Sequence, residues 1–288
     1  MKPSPRTIVI TGASSGIGAS AAEALAAQGE HVVVVGRNAQ RVREVAERTG
    51  ADSFVADFER LDDVRSLASG LLERLDRIDV LANNAGGLYH ERQNTVDGHE
   101  RTIQTNHLAP FLLTHLLRDR LVESAKDGPV RVIGTASMAN TFGSLDLDDL
   151  DWQKRPWRGG WQAYGTSKLA DILFARELGE RLTGTGVTAY SFHPGTIVTR
   201  FGEQSPLIRF GNAVTGGRYG RSAVGGAAPL IALASDRPVG EPTGTYFDRF
   251  TANGRVNRKA RNPQLAHDLW TTTAKILGLA SAGGLAAA

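Results

Sequence analysis

The sequence predicts an α/β domain in which helices cover both faces of a doubly wound parallel sheet, and two observations indicate it. Short apolar runs, such as those at 7–11 and 31–35, alternate with stretches whose apolar residues have helical spacing. The runs are continuously apolar instead of alternating between apolar and polar residues. Strands of that kind are buried on both faces, which is typical of a parallel sheet between two layers of helices.

The elements follow one another in a regular order along the chain. Strands are expected at 7–11, 31–35, 53–56, 78–82, 130–135, 188–192 and 245–247. Helices are expected at 17–28, 39–48, 61–75, 97–124, 163–181, 222–234 and 263–277. No linker or internal repeat divides the chain, so residues 1–280 are expected to form one domain and residues 281–288 a flexible tail.

Two long segments interrupt this order, at 139–162 and 196–221. Both follow strands, and open α/β sheets bind ligands beyond the carboxyl ends of their strands. We therefore expect both segments to form substrate loops. In the first, Trp152, Trp157 and Trp161 with Phe142 are candidates to line an apolar pocket, and packing beneath a long loop is the alternative.

Composition and charge exclude several classes of function. The 288 residues carry a formal net charge of +3 and contain no cysteine, which excludes a disulfide framework, a thiolate metal site and a cysteine nucleophile. No metal site is expected, and the scattered basic residues do not predict nucleic-acid binding. No apolar run approaches the roughly 18 residues of a membrane-spanning helix, and the N-terminus lacks the layout of a signal peptide, so a cytoplasmic location is expected.

The glycine-rich segment 11–18, TGASSGIG, follows the first strand and opens the first helix. Its glycines suit a tight turn that brings the backbone close to a pyrophosphate, and the helix N-terminus offers N–H groups to the anion. The segment lacks the Gly-Lys-Ser/Thr ending of a P-loop. It therefore predicts dinucleotide binding, with contacts from Gly12, Ser14, Ser15, Gly16, Ile17 and Gly18.

The same segment also matches Gly-x-Ser-x-Gly, the nucleophile elbow of serine hydrolases. Ser14 would then be the nucleophile and His193 its base. The elbow normally follows several strands, whereas this segment follows the first, so the hydrolase stays a minor alternative.

The residues after the second strand favour NADP(H) over NAD(H). An NAD-binding unit places a carboxylate about 20 residues beyond the glycine loop, to hold the ribose hydroxyls. This chain has Arg37 and Asn38 at that place. A guanidinium can bind a 2′-phosphate through its planar fork. NADP(H) is therefore the expected cofactor, and NAD(H) is the alternative.

Tyr164 and Lys168 form the candidate catalytic pair, because i, i+4 spacing puts both side chains on one face of a helix. A nearby ammonium lowers the pKa of a phenol, and a shift of about two units would bring it toward neutral pH. Ser137, after the fifth strand, can hydrogen-bond a substrate oxygen. Asn106, in the preceding helix, can hold a water against the lysine.

In this order and spacing, these motifs resemble the short-chain dehydrogenase/reductase family over residues 6–279. The resemblance implies a single-domain Rossmann-type fold with about seven strands in the order 3-2-1-4-5-6-7. It also implies a proton-donor role for Tyr164, an orienting role for Ser137, a pKa-lowering and ribose-binding role for Lys168, and a water-anchoring role for Asn106. The matching residues are the glycine loop, Asp57, Asn83 to Gly86, Asn106, Ser137, Tyr164, Lys168 and the stretch His193 to Thr196.

Further cofactor contacts follow from the resemblance alone. Asp57 is expected to meet the adenine, and Asn83, Ala85 and Gly86 to line the adenosine side. The remaining contacts, toward the nicotinamide carboxamide and pyrophosphate, are expected from Pro194, Gly195, Ile197 and Thr199.

Within the family, the chain is similar to the retinol dehydrogenase-like group in stretches such as Asn106-His107-Leu108 and Tyr246-Phe247. This implies an NADPH-dependent oxidoreductase that acts on a carbonyl or alcohol carbon of a lipophilic small molecule. A catalytically idle NADP(H)-binding sensor or scaffold is the alternative. By analogy with family members, a homodimer or homotetramer is expected.

Overall fold

The structure, a computed structural model, describes residues 5–195 and 222–279. One sheet runs in the order β3-β2-β1-β4-β5-β6-β7-β8, parallel up to β7, so the predicted order 3-2-1-4-5-6-7 is confirmed. The strands are β1 (Thr7–Thr11), β2 (His31–Gly36), β3 (Asp52–Val55), β4 (Val80–Asn83), β5 (Val130–Thr135), β6 (Val187–His193), β7 (Tyr246–Asp248) and β8 (Thr251–Ala252).

The sequence did not predict β8, which pairs antiparallel with β7. Arg249 and Asn253, which flank the short strand, both have a positive φ, of 59° and 52°. A strand of two residues is too short to show a hydrophobic pattern in the sequence.

The helices lie close to their predicted positions. They are α1 (Gly16–Ala27), α2 (Ala39–Thr49), α3 (Leu61–Arg74), α4 (Arg101–Ile103), α5 (Ala109–Ser124), α6 (Trp161–Arg181), α7 (Ala223–Ala234) and α8 (Pro263–Ile276). A π-helical turn, Gln104–Leu108, joins α4 to α5. The predicted start at residue 97 was too early, because the carboxylate of Glu100 accepts the Thr102 and Ile103 N–H groups and so begins the helix there.

Successive residues of each strand face opposite layers of helices. Val33 belongs to the core formed with α3 and α5, and Val34 to the core formed with α1 and α7. Burial on both faces explains the continuously apolar strands. No helix among the described residues is long and apolar enough to span a membrane.

The segment 139–162 forms short 3₁₀ turns that are anchored to the domain. The buried carboxylate of Asp149 accepts hydrogen bonds from the backbone of Gln153 and Lys154, and from Arg155 Nε at 2.9 Å. The Arg155 guanidinium lies 3.6 Å above the ring centroid of Trp152, which is buried. Trp152 is therefore packing beneath the segment, as one reading of the sequence expected. The other expected substrate loop, 196–221, lies outside the described residues.

Candidate active site

The candidate site lies along the carboxyl ends of β1, β4, β5 and β6. Parallel strands end at the same edge of the sheet, so four segments distant in sequence meet there. These segments are the glycine loop, residues 84–87, the turn that begins at Ser137, and Pro194 with Gly195.

The glycine loop has the shape that a pyrophosphate requires. Gly12 and Gly16 have positive φ values of 66° and 59°. A Cβ on Gly18 would lie 2.5 Å from the carbonyl oxygen of Gly12, so only glycine allows this approach of helix and loop. The Ser15 side chain makes no cap hydrogen bond at the start of α1. The first-turn N–H groups thus fit an anion, and the residues present fit a dinucleotide.

Thr11 and Asn84 join the glycine loop to β4; both lie in motifs found from the sequence, but sequence reasoning gave neither a role. The Thr11 hydroxyl accepts the N–H groups of Asn84 and Ala85, both at 3.0 Å, and donates to Ala82 O. Asn84 Nδ2 donates to Thr11 O at 2.9 Å. In contrast, the Asn83 side chain is buried and donates to Thr114 in α5, so its contact with adenosine stays a prediction.

The predicted 2′-phosphate residue, Arg37, is exposed at the end of β2 and forms an ion pair with Glu59 at 2.9 Å. No carboxylate follows β2 directly in the sequence. Glu59, which follows the neighbouring strand β3, nevertheless places one beside Arg37. Arg101 also contacts Glu59, at 2.7 Å. Asn38 Oδ1 accepts Arg41 N–H and so caps α2, and Asp57 Oδ1 accepts Glu59 N–H nearby.

Four predicted catalytic side chains lie around the first half of α6. Tyr164 and Lys168 are both buried, and the lysine Nζ lies 5.8 Å from the centroid of the tyrosine ring. The Ser137 side chain lies close enough to the Tyr164 hydroxyl to favour its ionised form and so to lower the pKa of Tyr164. Lys168 Nζ donates to Thr135 O at 2.8 Å and to Asp171 Oδ2 at 2.9 Å.

Asn106 lies in the π-helical turn and connects that turn to α6. Its Oδ1 accepts Gly87 N–H at 2.7 Å, and its Nδ2 donates to Gly87 O and to Ser167 Oγ. A Cβ on Gly86 would lie 3.0 Å from Asn106 Oδ1 and 3.4 Å from Lys168 Nζ, so this loop closes against both groups. π-helical turns are frequent at functional sites. The water-anchoring role stays a prediction.

Comparisons with known proteins agree with this geometry. A family model described as short chain dehydrogenase matches residues 6–147. The chain is 43% identical to the Streptomyces sp. (strain C5) protein named "Putative daunorubicin C-13 ketoreductase DnrU", over 95% of this chain and 93% of that protein. The chain belongs to the short-chain dehydrogenase/reductase family. Human retinol dehydrogenase 13 is 33% identical over 95% of this chain and 85% of its own length, which confirms the likeness to that group.

Solved members of the family are similar in structure as well. The NADP complex of Pseudomonas aeruginosa RhlG is 28% identical, with a TM-score of 0.68 over 84% of this chain and 93% of that one. The NADH-dependent reductase A1-R′ complexed with NAD is 26% identical, with a TM-score of 0.63 over 88% and 97%. The protein is thus an oxidoreductase that uses a nicotinamide cofactor and acts on CH–OH or C=O groups.

The electrostatics of this dehydrogenase differ from the sequence prediction at Tyr164. Burial raises the pKa of Tyr164, and the Lys168 ammonium and Ser137 lower it by less, while Asp171 raises it further. The expected net lowering was therefore wrong for the protein by itself, because desolvation of the phenolate outweighs the ammonium. At neutral pH Tyr164 keeps its proton.

The short-chain dehydrogenase fold also separates the two residues of the hydrolase alternative. Ser14 packs against Gly36 of β2, where a Cβ on the glycine would lie 2.9 Å from Ser14 Cβ. His193 ends β6 and accepts Met138 N–H at its Nδ1. Ser14 follows β1, and β1 is three strand spacings of about 4.8 Å, or roughly 14 Å, from β6. His193 is therefore too far away to act as a base for Ser14.

The surface beside Tyr164 is apolar. Met138, Phe142 and Trp161 are all exposed, although large apolar side chains are usually buried. Trp161 packs edge-on against Tyr164, with ring centroids 6.3 Å apart. We define these three residues as the apolar rim. Pro194 and Gly195 border the same region at the end of β6, and the predicted contacts Ile197 and Thr199 lie outside the described residues.

Proposed function

We propose that the protein is an NADPH-dependent reductase of a bulky, lipophilic ketone or aldehyde, with Tyr164 as the proton donor. The observation that supports this most is the buried Tyr164 phenol, which lies beside Lys168 and close enough to Ser137 for that side chain to lower its pKa. Because burial raises the pKa of Tyr164, the phenol is protonated at neutral pH and suited to donate to a developing alkoxide.

Each residue of the site has a separate task in this proposal. The bound nicotinamide supplies the hydride. Ser137 orients the carbonyl oxygen toward the Tyr164 hydroxyl, which gives up its proton to that oxygen. Lys168, held by Thr135 and Asp171, stabilises the phenolate that remains and binds the nicotinamide ribose. Asn106 keeps residues 86–87 against this group.

The apolar rim supports a lipophilic substrate. Exposed apolar side chains that cluster beside a site mark a surface that binds apolar groups. Two relatives are named for daunorubicin and retinol, which agrees with a substrate of this class. Arg37 supports NADPH, since its guanidinium can exchange Glu59 for a 2′-phosphate at an exposed position.

The decisive experiment replaces Tyr164 with phenylalanine and follows NADPH oxidation with all-trans-retinal, daunorubicin and nitrobenzaldehyde. Loss of a general acid lowers kcat by about 10²- to 10⁴-fold. The dissociation constant of NADPH should stay within a few fold. Tyr190→Phe is the matched control, because Tyr190 is also buried and hydrogen-bonds Glu241 O away from the site. Turnover that persists in Tyr164→Phe would reject the proposal.

Three sequence-based expectations stay predictions. They are a single domain over residues 1–280, a cytoplasmic location, and a homodimer or homotetramer. Light scattering coupled to size-exclusion chromatography would measure the oligomeric state.

A further inference from the structure

A buried carboxylate, Asp171, forms an ion pair with the lysine of the catalytic pair. Asp171 is one turn beyond Lys168 on α6, and its Oδ2 accepts from Lys168 Nζ at 2.9 Å. The lysine is 5% exposed and the aspartate 8%, so water screens this ion pair very little. With Thr135 O accepting a second N–H, two of the three ammonium hydrogens have a protein partner.

Few charged groups surround this ion pair. Among the residues that the structure describes, the titratable groups that interact with Lys168 are Tyr164 and Asp171 on α6 and His107 in the π-helical turn. Burial, with the Lys168 ammonium adding to it, lowers the pKa of His107 to about 3, so this histidine stays neutral over the working range. Among the described residues, Asp171 therefore provides the negative charge that both Lys168 and Tyr164 experience.

We propose that Asp171 is a positioning residue that fixes the Lys168 ammonium against Thr135 and, through its charge, sets the pH at which the Tyr164–Lys168 pair loses its first proton. This inference rests on the proposed role of Tyr164 as the proton donor.

The Asp171 carboxylate acts on the pKa of Lys168 and of Tyr164 in the same direction. Burial alone would lower the pKa of Lys168, but the Asp171 carboxylate and the Tyr164 phenolate outweigh burial and raise it. Asp171 also adds to the raised pKa of Tyr164. Removing the negative charge of Asp171 therefore lowers the pKa of both Lys168 and Tyr164. The Tyr164–Lys168 pair then loses its first proton at a lower pH. With Asp171 ionised, the site keeps both protons at neutral pH, as carbonyl reduction requires.

The same helix provides a matched control. Glu177 pairs with Arg181 at 2.7 Å on α6, and its side chain is also only 10% exposed. Its partners are Arg181 and His267, and it lies away from Tyr164. A Glu177→Gln variant removes a buried negative charge from α6 without changing the charge beside the catalytic pair.

The experiment measures kcat/KM for NADPH-dependent reduction of nitrobenzaldehyde as a function of pH. In Asp171→Asn, the fall in rate at high pH should move down by about one pH unit. Glu177→Gln should superpose on the wild type, and Asp171→Glu, which keeps the charge, should return the profile toward the wild-type position. An Asp171→Asn profile that superposes on the wild type would overturn the inference.

A second measurement needs no variant at Asp171, in case the asparagine protein does not fold. The NADP⁺-bound wild type, labelled with ¹³C at the tyrosine ζ carbons, contains five tyrosines, and Tyr164→Phe assigns the signal. Burial raises the pKa of Asp171 to about 6, against the effect of Lys168, so the Tyr164 signal should show a step near that pH. A Tyr164 signal without such a step would overturn the inference.

The two proposals fail in different ways. Turnover by Tyr164→Phe would reject the proton-donor role, whereas the NMR step would still report whether Asp171 and Tyr164 are coupled. A Tyr164→Phe enzyme that is inactive, together with an unmoved Asp171→Asn profile, would reject only the role of Asp171.

Discussion

The nucleotide side and the catalytic side of the site are built from different kinds of atoms. On the nucleotide side, Gly12, Gly18 and the start of α1 bring backbone atoms together at distances that a Cβ would block. On the catalytic side, the polar groups belong to buried side chains, with Tyr164 and Lys168 on α6 and His107 in the adjacent π-helical turn. We therefore expect a methyl group added to a glycine to disturb the nucleotide side, and protonation of a buried side chain to destabilise the catalytic side.

The largest effect is expected from acid on the catalytic side. The folded-state pKa of His107 is about 3, below the ordinary 6.5, so its stabilising contribution is complete above pH 6.5 and is lost as the pH falls toward 3. Two pH units below 6.5, the loss amounts to about 3 kcal/mol of unfolding free energy. Denaturant unfolding of His107→Gln between pH 7 and 4.5 should show a correspondingly flatter pH dependence.

His115 on α5 provides the control for that prediction. It is half-buried, and burial also lowers its pKa, but its side chain keeps contact with water. His115→Gln should therefore change the pH dependence of unfolding much less than His107→Gln. If the unfolding free energy of both variants changed with pH to the same extent, the larger contribution predicted for buried His107 would be wrong.

On the nucleotide side, Gly18→Ala should disturb both stability and binding. Its Cβ would lie within 2.9 Å of Gly12 O, Asn84 Nδ2 and Ala13 Cα, so backbone must move. Overpacking of this kind costs about 1–3 kcal/mol of unfolding free energy, and the displaced loop should weaken NADPH binding in fluorescence titration. Gly128→Ala is the control, since a Cβ there meets nothing within 4 Å. NADPH binding that is equal in the two variants would contradict the close-approach argument.

The smallest effects concern the choice of nucleotide. Arg37→Asp should weaken NADPH binding about tenfold or more, while NADH changes little, because a charge-assisted contact to the 2′-phosphate is lost. Glu59→Gln should strengthen NADPH binding by up to about fivefold, because Arg37 is released from an exposed ion pair. Calorimetric titration with both nucleotides measures these changes, and equal effects on NADH and NADPH would exclude Arg37 as the phosphate contact.

Much of the fold and part of the site could be predicted because their signals are local. The glycine loop and the i, i+4 pair of Tyr164 and Lys168 each lie within eight residues of sequence. Asp171 could have been found by the same reasoning, since i, i+3 residues share a helix face. Glu59 could not, because it is 22 residues from Arg37 and meets it only where β2 and β3 end side by side.

The sequence by itself determined the layered architecture, and its resemblance to the short-chain dehydrogenase/reductase family implied the order of the parallel strands and the candidate catalytic pair. The architecture depends on hydrophobic periodicity, and the resemblance depends on motifs that each lie within one helix or one turn. Only the tertiary structure decided that Glu59 faces Arg37, that Ser14 and His193 lie apart, and that burial raises the pKa of Tyr164. Desolvation and pairing between strands depend on which distant segments pack together, and no local pattern encodes that distance.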